Sequence, residues 1–343
     1  MPAEWERRSR TFMEWPVRRE IWPDGIQEAK LGYANIARAI AQFEEVVMIV
    51  TPQLVGEVKT MCGQAVTVLP LAHDDSWMRD NGPTFLIGSQ GQLAAVNWNF
   101  NAWGAKYQPF ANDNEVASKV LEYYKIPRFD APLTLEGGSI HVDGEGTLLT
   151  TEECLLNKNR NPQLTKGQIE EILKQYLAVD TILWLKQGLA GDETDGHVDN
   201  VACFAKPGVV VMQVCLNPED PNYTRTQENL AVLKTAIDSR GRLIEVVQIE
   251  QPPVRYLQGE RLSMSYLNYY PVTGGIIVPV FGKDAEHADQ AAINTLQQLF
   301  PDRQIVPVDG MPIVKGGGNV HCITQQMPYG IIADSSNDKE IRS

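Results

Sequence analysis

One pattern limits the folds open to this chain more than any other. A short polar motif, usually carrying glycine, leads into a strand-like stretch five times. The copies run from Asn81-Gly82 into PTFLI, Gly137-Gly138 into SIHVDGEGTLLTT, Asp195-Gly196 into HVDNVACF, Leu262-Ser263 into MSYLNYY, and Gly317-Gly318 into NVHCIT. Their starts at 82, 137, 196, 264 and 317 lie 53 to 68 residues apart. Recurrence on that scale marks a chain assembled from repeated supersecondary units. In four copies a turn signal then brings a second strand back as a hairpin. Ser89-Gln90-Gly91 precedes LAAV, Asp143-Gly144 precedes TLLTT, Lys206-Pro207-Gly208 precedes VVVMQV, and Thr273-Gly274-Gly275 precedes IIVPVF.

Between the hairpins, apolar residues recur at helical spacing. Ile36, Ile40 and Phe43 share a face, as do Val116, Val120 and Tyr124; Ile169, Leu173 and Leu177; Leu230, Leu233 and Ile237; and Ala292, Leu296 and Leu299. Thr165-Lys166-Gly167-Gln168 reads as a capping box for the third helix. Most helices are followed by another apolar strand, at 46–50, 181–185, 243–247 and 304–308. The unit is therefore helix, strand, hairpin. Its five copies predict an α/β fold, a five-bladed, pseudo-five-fold propeller with helices outside and strands around a central site. Domains average about 150 residues, but closed repeat folds run past that as one unit. Residues 1–343 are thus expected to form a single catalytic domain. The polar motifs open the corresponding strand in each unit, so residues far apart in sequence should meet at one place.

Composition removes several functional classes. The chain carries 30 basic and 43 acidic residues, a net charge of −13. A nucleic-acid partner needs a basic footprint, so none is expected. Hydrophobic residues at 43% allow a sizeable core and exclude bulk disorder. No stretch approaches the ~18 apolar residues of a membrane span. The first ten residues hold no signal-peptide core. The five cysteines, an odd number without CxxC pairs, argue against a disulfide scaffold or a structural zinc site. A cytoplasmic protein without a membrane partner is expected, with homo-oligomerisation left open.

The motifs themselves carry the chemistry. They include Trp77-Met78-Arg79-Asp80-Asn81-Gly82-Pro83, Glu136-Gly137-Gly138-Ser139-Ile140-His141, Asp192 through Asp199, and Lys315 through Cys322. Converged, they offer a thiol, histidines and several carboxylates. Cys322 follows three glycines, which let backbone approach a ligand closely. Backbone N–H groups in such a turn would favour its thiolate. Cys62, Cys154, Cys203 and Cys215 read as core thiols instead. His197 and Asp199 are two apart, and on a strand they would project to one face, as acid/base work requires. His141 and Asp143 repeat the spacing, but the acidic run 192–199 favours the second pair. Carboxylates around a thiol raise its pKa and would oppose an oxyanion. They suit a cationic substrate, and a planar guanidinium pairs bidentately with carboxylates. The expected chemistry is thiol attack on a guanidinium carbon.

With these residues in view, the chain resembles the agmatine deiminase branch of the guanidino-group modifying superfamily, whose fold is the five-bladed α/β propeller called pentein. The likeness spans most of the chain. It rests on Met1-Pro2-Ala3-Glu4-Trp5, WMRDNGP, EGGSIHVDGEGTLLTTEECLLNKNRNP, DETDGHVDN and KGGGNVHCITQQ. It is weaker in the fourth repeat, which is expected to lend no catalytic group. The resemblance implies Cys322 as the nucleophile of an amidino-cysteine intermediate and His197 as general acid/base. It implies Asp80 and Asp199 as the groups that grip the guanidinium, Glu136 as the residue that orients His197, and Trp77 as a pocket wall. It implies no cofactor and no metal, and a small cationic guanidino substrate, agmatine, hydrolysed to N-carbamoylputrescine and ammonia.

Three other readings stand beside it. A peptidylarginine or free-arginine deiminase would share the site. Free arginine also needs a basic partner for its carboxylate, with Arg255 or Arg261 as candidates. A non-catalytic pentein acting as a ribosome-subunit anti-association factor would have no use for these groups, and a metallohydrolase would use the two HxD pairs as ligands.

Overall fold

The computed structural model describes residues 1–332, and the end of the expected domain, 333–343, lies outside the described residues. The protein is a mixed α/β fold in which one connectivity recurs. An antiparallel hairpin is extended by a third strand, parallel to the second and reached through a helix. Thr84–Ile87 and Leu93–Asn99 form the hairpin of one sheet, helix Val116–Tyr124 crosses over, and Arg128–Thr134 completes it. Ile140–Val142, Thr147–Thr151 and Thr181–Leu185 repeat the plan around helix Lys166–Leu177. Ala202–Lys206, Val209–Val214 and Glu245–Glu250 do so around Pro221–Thr235. Tyr270–Val272, Gly275–Val280 and Gln304–Asp309 do so around Glu286–Leu299.

A fifth sheet is made by the two ends of the chain, and Tyr256–Leu257 pairs with Glu260–Arg261 in a separate two-stranded ribbon. Thr324–Pro328 pairs antiparallel with Arg8–Glu14, which pairs parallel with Glu45–Val50 across helix Ile26–Ile40. Thr67–Pro70 adds a fourth strand. The strand Arg8–Glu14 replaces the hairpin partner that the fifth motif lacks in sequence. Among the described residues, no helix is long and apolar enough to cross a membrane.

Local chemistry explains the elements. Thr165 Oγ1 accepts from Gln168 N at 3.3 Å, and Gln168 Oε1 accepts from Thr165 N at 2.9 Å, the expected capping box. The face Ile169, Leu173, Leu177 is buried against Leu148 and Val142 of the adjacent sheet. Thr165→Ala should cost about 1 kcal/mol of stability, read as a lower urea midpoint at unchanged slope. The helix that starts at Pro221 ends at Thr235, one residue before an extended Ala236. Ile237 therefore leaves the expected face, is 54% exposed, and bridges Leu243. The strand expected at 243–247 accordingly begins at Glu245.

Candidate active site

Each functional side chain sits just before a motif turns into its strand. Asp80 lies in the short helix Met78–Asn81. Glu136 precedes the 3-10 turn Gly137–Ser139. His197 and Asp199 belong to the 3-10 turn Val198–Asn200, as its N-cap and its middle residue, not to a strand as expected. The acidic run tightens there into a turn, with His197 N donating to Thr194 Oγ1 at 3.1 Å. Cys322 follows the helix Met311–Val314 and the glycine run. The Gly137–Ser139 turn packs on both the Asp80 helix and the His197 turn. At Gly138 a Cβ would lie 2.6 Å from His197 Nδ1 and 2.8 Å from Asp80 Oδ1, so no other residue lets these groups meet. Gly318 has the same role between Trp77 and Cys322.

Cys322 Sγ accepts from Asn268 Nδ2 at 3.1 Å and donates to Asp199 Oδ2 at 3.5 Å. Asp80 accepts from Trp103 Nε1 at 2.9 Å and from Gly138 N at 3.1 Å. The His197 ring stands between two carboxylates: Nδ1 is 3.7 Å from Asp80 and Nε2 is 3.6 Å from Glu136. Both contacts are too long for hydrogen bonds, so the attraction is Coulombic and both ring nitrogens stay unpartnered among the described residues. Glu136 is anchored by Arg160 Nε at 2.7 Å, whose other nitrogens reach Asp195 and Thr194. Trp77, Asp80, Trp103, Tyr107, Glu193 and Cys322 line a cleft of about 390 Å³. Glu136, His197 and Asp199 lie behind that lining, fully enclosed.

Burial, then the charges of Asp199 and Asp80, push the Cys322 thiol well above its ordinary range. The thiolate expected from the glycine turn is thus overturned for the free protein, because desolvation and two carboxylates outweigh the local N–H groups. Alkylation by neutral iodoacetamide should stay slow at neutral pH and rise only above the ordinary thiol range of ~8.5, checked by a rate–pH profile. Burial would discharge His197, but Asp80 and Glu136 overcome it and hold the ring protonated. Burial pushes Asp80 up to about 6, with Asp199 and Glu136 adding to it. Asp199 and Glu136 are just as buried yet fall below the usual carboxylate range, one beside His321 and the other beside Arg160.

The structure brings together Cys322, His197, Glu136, Asp80, Asp199 and Trp77. It removes the other HxD pair: His141 Nδ1 accepts from Phe204 N, and Asp143 Oδ1 caps its own hairpin turn through Glu145 N and Thr147 N. The fourth repeat, expected to lend nothing, lends Asn268. Its Nδ2 holds the sulfur and its Oδ1 accepts from His321 N and Cys322 N. Its only sequence signal is an asparagine in the strand-like run MSYLNYY. Trp103 and Tyr107 were also unmarked, because they lie outside every repeat motif, whereas Glu193 belongs to the acidic run 192–199. Glu136, Cys154 and His197 bring three donor atoms within 4.8 Å of one another. The Arg160 guanidinium on Glu136 already supplies the positive charge a metal ion would bring there.

A mixed α/β fold with a buried thiol, a protonated imidazole and paired carboxylates is that of a thiol enzyme acting on C–N bonds. Residues 1–328 match the Porphyromonas-type peptidyl-arginine deiminase family, and the chain belongs to it. A Legionella pneumophila protein is 48% identical over 330 residues, covering 96% of this chain and 94% of that one. The agmatine deiminase of Stutzerimonas stutzeri is 45% identical, covering 96% and 95%. The solved agmatine deiminase of Enterococcus faecalis is 37% identical, covers 96% of each chain and superposes with a TM-score of 0.91.

Proposed function

We propose that this protein hydrolyses agmatine to N-carbamoylputrescine and ammonia through an amidino-cysteine intermediate. The observation that carries the reading is Cys322 bonded to Asp199 and lining one cleft with Asp80. Asp199 Oδ1 has no partner among the described residues and is free to accept from a guanidinium. The bound cation offsets the two carboxylates that hold the thiol protonated, so the thiol releases its proton to solvent in the cleft and the thiolate forms where it is needed. The thiolate attacks the guanidinium carbon. His197, already protonated, gives its proton to the departing nitrogen, and ammonia leaves. Neutral His197 then takes a proton from water, the hydroxide adds to the alkylthiouronium, and the C–S bond breaks as the carbonyl forms, the hydroxyl proton returning to the departing sulfur. Glu136, held by Arg160, keeps the imidazole charged and oriented.

The choice of agmatine follows from the cleft mouth. Glu193 stands there, accepting from Tyr107 Oη at 2.5 Å, and offers a carboxylate to the distal ammonium. Among the described residues, no Lys or Arg lines the cleft itself; Lys315 borders the adjoining cavity and is paired with Asp24 and Glu28. Arg255 is committed to Phe281, Gly282 and Asp284, and Arg261 to Asp220. A substrate α-carboxylate would enter unpaired, at a cost of several kcal/mol. Agmatine should exceed arginine in kcat/KM by about a hundredfold or more. Assays of ammonia and ureido product from agmatine, arginine and a peptidyl-arginine test this; equal turnover of arginine would reject the agmatine reading. As the pH falls through about 6, Asp80 takes up a proton and kcat/KM should fall with it.

We also infer that the five sheets are the blades of a single propeller domain. Their shared connectivity and the sheet formed by the two chain ends support this arrangement. The five unpaired cysteines favour a reducing compartment such as the cytoplasm.

A further inference from the structure

The mechanism leaves one buried group beside the nucleophile without a task. His321 is enclosed, and both of its ring nitrogens face carboxylates. Nδ1 lies 2.9 Å from Asp199 Oδ2, and Nε2 lies 2.8 and 3.1 Å from the two oxygens of Glu4. An imidazole that donates from both nitrogens is an imidazolium. The alternative is a protonated acid at one end, and the surroundings oppose it. Arg79 Nη1 stands 3.1 Å from Glu4, which favours the carboxylate. Asp199 Oδ2 also accepts from Asn268 and Cys322, so it is already an acceptor on that side. The other groups facing the ring are Arg79, whose Nε reaches the His321 carbonyl at 3.4 Å, and His141, whose ring centre is 6.5 Å away.

We propose that His321 is a standing imidazolium, anchored by Glu4, whose role is to keep Asp199 ionised and aimed at the substrate while the cleft is empty. Asp80 provides the internal comparison. It is as buried as Asp199, but its nearest cation, His197, is beyond hydrogen-bond reach, and its pKa is pushed up to about 6. Asp199, bonded to His321, moves the other way. Burial and Arg79 work against the charge on His321, and Glu4 and Asp199 outweigh them. His321 is thus a positioning residue, acting through Asp199. The N-terminal segment, far from the cleft in sequence, becomes part of the site through Glu4.

This inference rests on the deimination reading only in making Asp199 a guanidinium acceptor. It is tested by following the His321 ring nitrogens and the Asp199 carboxyl carbon by NMR across pH in the free protein. The kcat/KM–pH profile is measured alongside, in the parent, His321→Asn and Glu4→Gln. The parent should show both ring nitrogens protonated at neutral pH. His321→Asn keeps an N–H near the Nδ1 position and removes the charge. Asp199 should then titrate about one pH unit or more higher, adding a second step to the fall of kcat/KM on the acid side of the Asp80 limb. Glu4→Gln leaves the ring in place, which should lose a proton in the neutral range, with kcat/KM falling as pH rises through it. A neutral His321 in the parent, or an Asp199 titration unmoved in His321→Asn, overturns the proposal. If His321→Asn does not fold, the parent spectra and Glu4→Gln decide alone. The NMR results need no substrate, so they stand or fall separately from the agmatine reading.

Discussion

Cys322→Ala should lose on the order of a million-fold in kcat on agmatine, the scale seen when a covalent nucleophile is removed. The loss should fall on turnover and not on folding. The side chain is small, and alanine forfeits only the contacts of one sulfur atom, so the thermal midpoint should stay close to the parent's. No other thiol can take over. Cys203 donates to Tyr269 Oη at 3.3 Å, Cys154 lies beside the Thr194 carbonyl, and neither Cys62 nor Cys215 borders the cleft. Cys322→Ser keeps a hydroxyl near Asn268, but a serine hydroxyl has a far higher pKa than a thiol and lacks a hydrogen-bonded base to activate it. It should be as inactive as the alanine variant while still binding substrate. Full activity in either variant would remove Cys322 from the reaction.

Asp80→Asn should lower kcat/KM by roughly thirty- to several-thousand-fold, the 2–5 kcal/mol cost of breaking one side of a desolvated charge pair. Three consequences separate this from simple damage. Removing the Asp80 charge removes one cause of the raised thiol pKa, so Cys322 should alkylate more readily while turning over less. His197 loses its main stabilising anion, so its pKa should fall. Stability should hold or improve. A buried carboxyl whose folded pKa is about 6 against ~3.9 unfolded destabilises the fold increasingly as pH rises through that window. At neutral pH the neutral amide removes a penalty on the order of 2–3 kcal/mol, set against the loss of one acceptor for Trp103 or Gly138. A variant more stable and far less active is the signature of a carboxylate kept for catalysis. Near-parental kinetics would make Asp80 structural.

The sequence disclosed the repeat because hairpin turns and helical periodicity are local signals. Gly138 and Gly318 could be read as sites of close approach, and the structure shows His197 and Trp77 where their side chains would have been. Asn268, Trp103 and Glu4 were not legible as site residues. Each acts through a contact whose sequence separation is large: Asn268 with Cys322 across 54 positions, Glu4 with His321 across 317. Nothing near Asn268 in the chain distinguishes it from a surface asparagine on a strand. The protonation of Cys322 was half legible: the raising effect of nearby carboxylates was anticipated, but the burial that leads it was not. Glycines and N–H groups are visible in the local sequence, whereas the burial and the two carboxylates that set its pKa arrive from other repeats. The strand Arg8–Glu14 was missed because it follows no glycine turn; its hairpin partner is at the other end of the chain.

The central claim is that Cys322 carries the amidino group during turnover. Agmatine should be mixed with the protein, the reaction quenched in acid during the steady state, and the intact chain and its peptides weighed. The account predicts a mass increase matching the 4-aminobutyl-amidino group, confined to the peptide containing Cys322 and absent in Cys322→Ala. Turnover with no adduct on that peptide under any quench, or an adduct on Cys154 or Cys203, would contradict it.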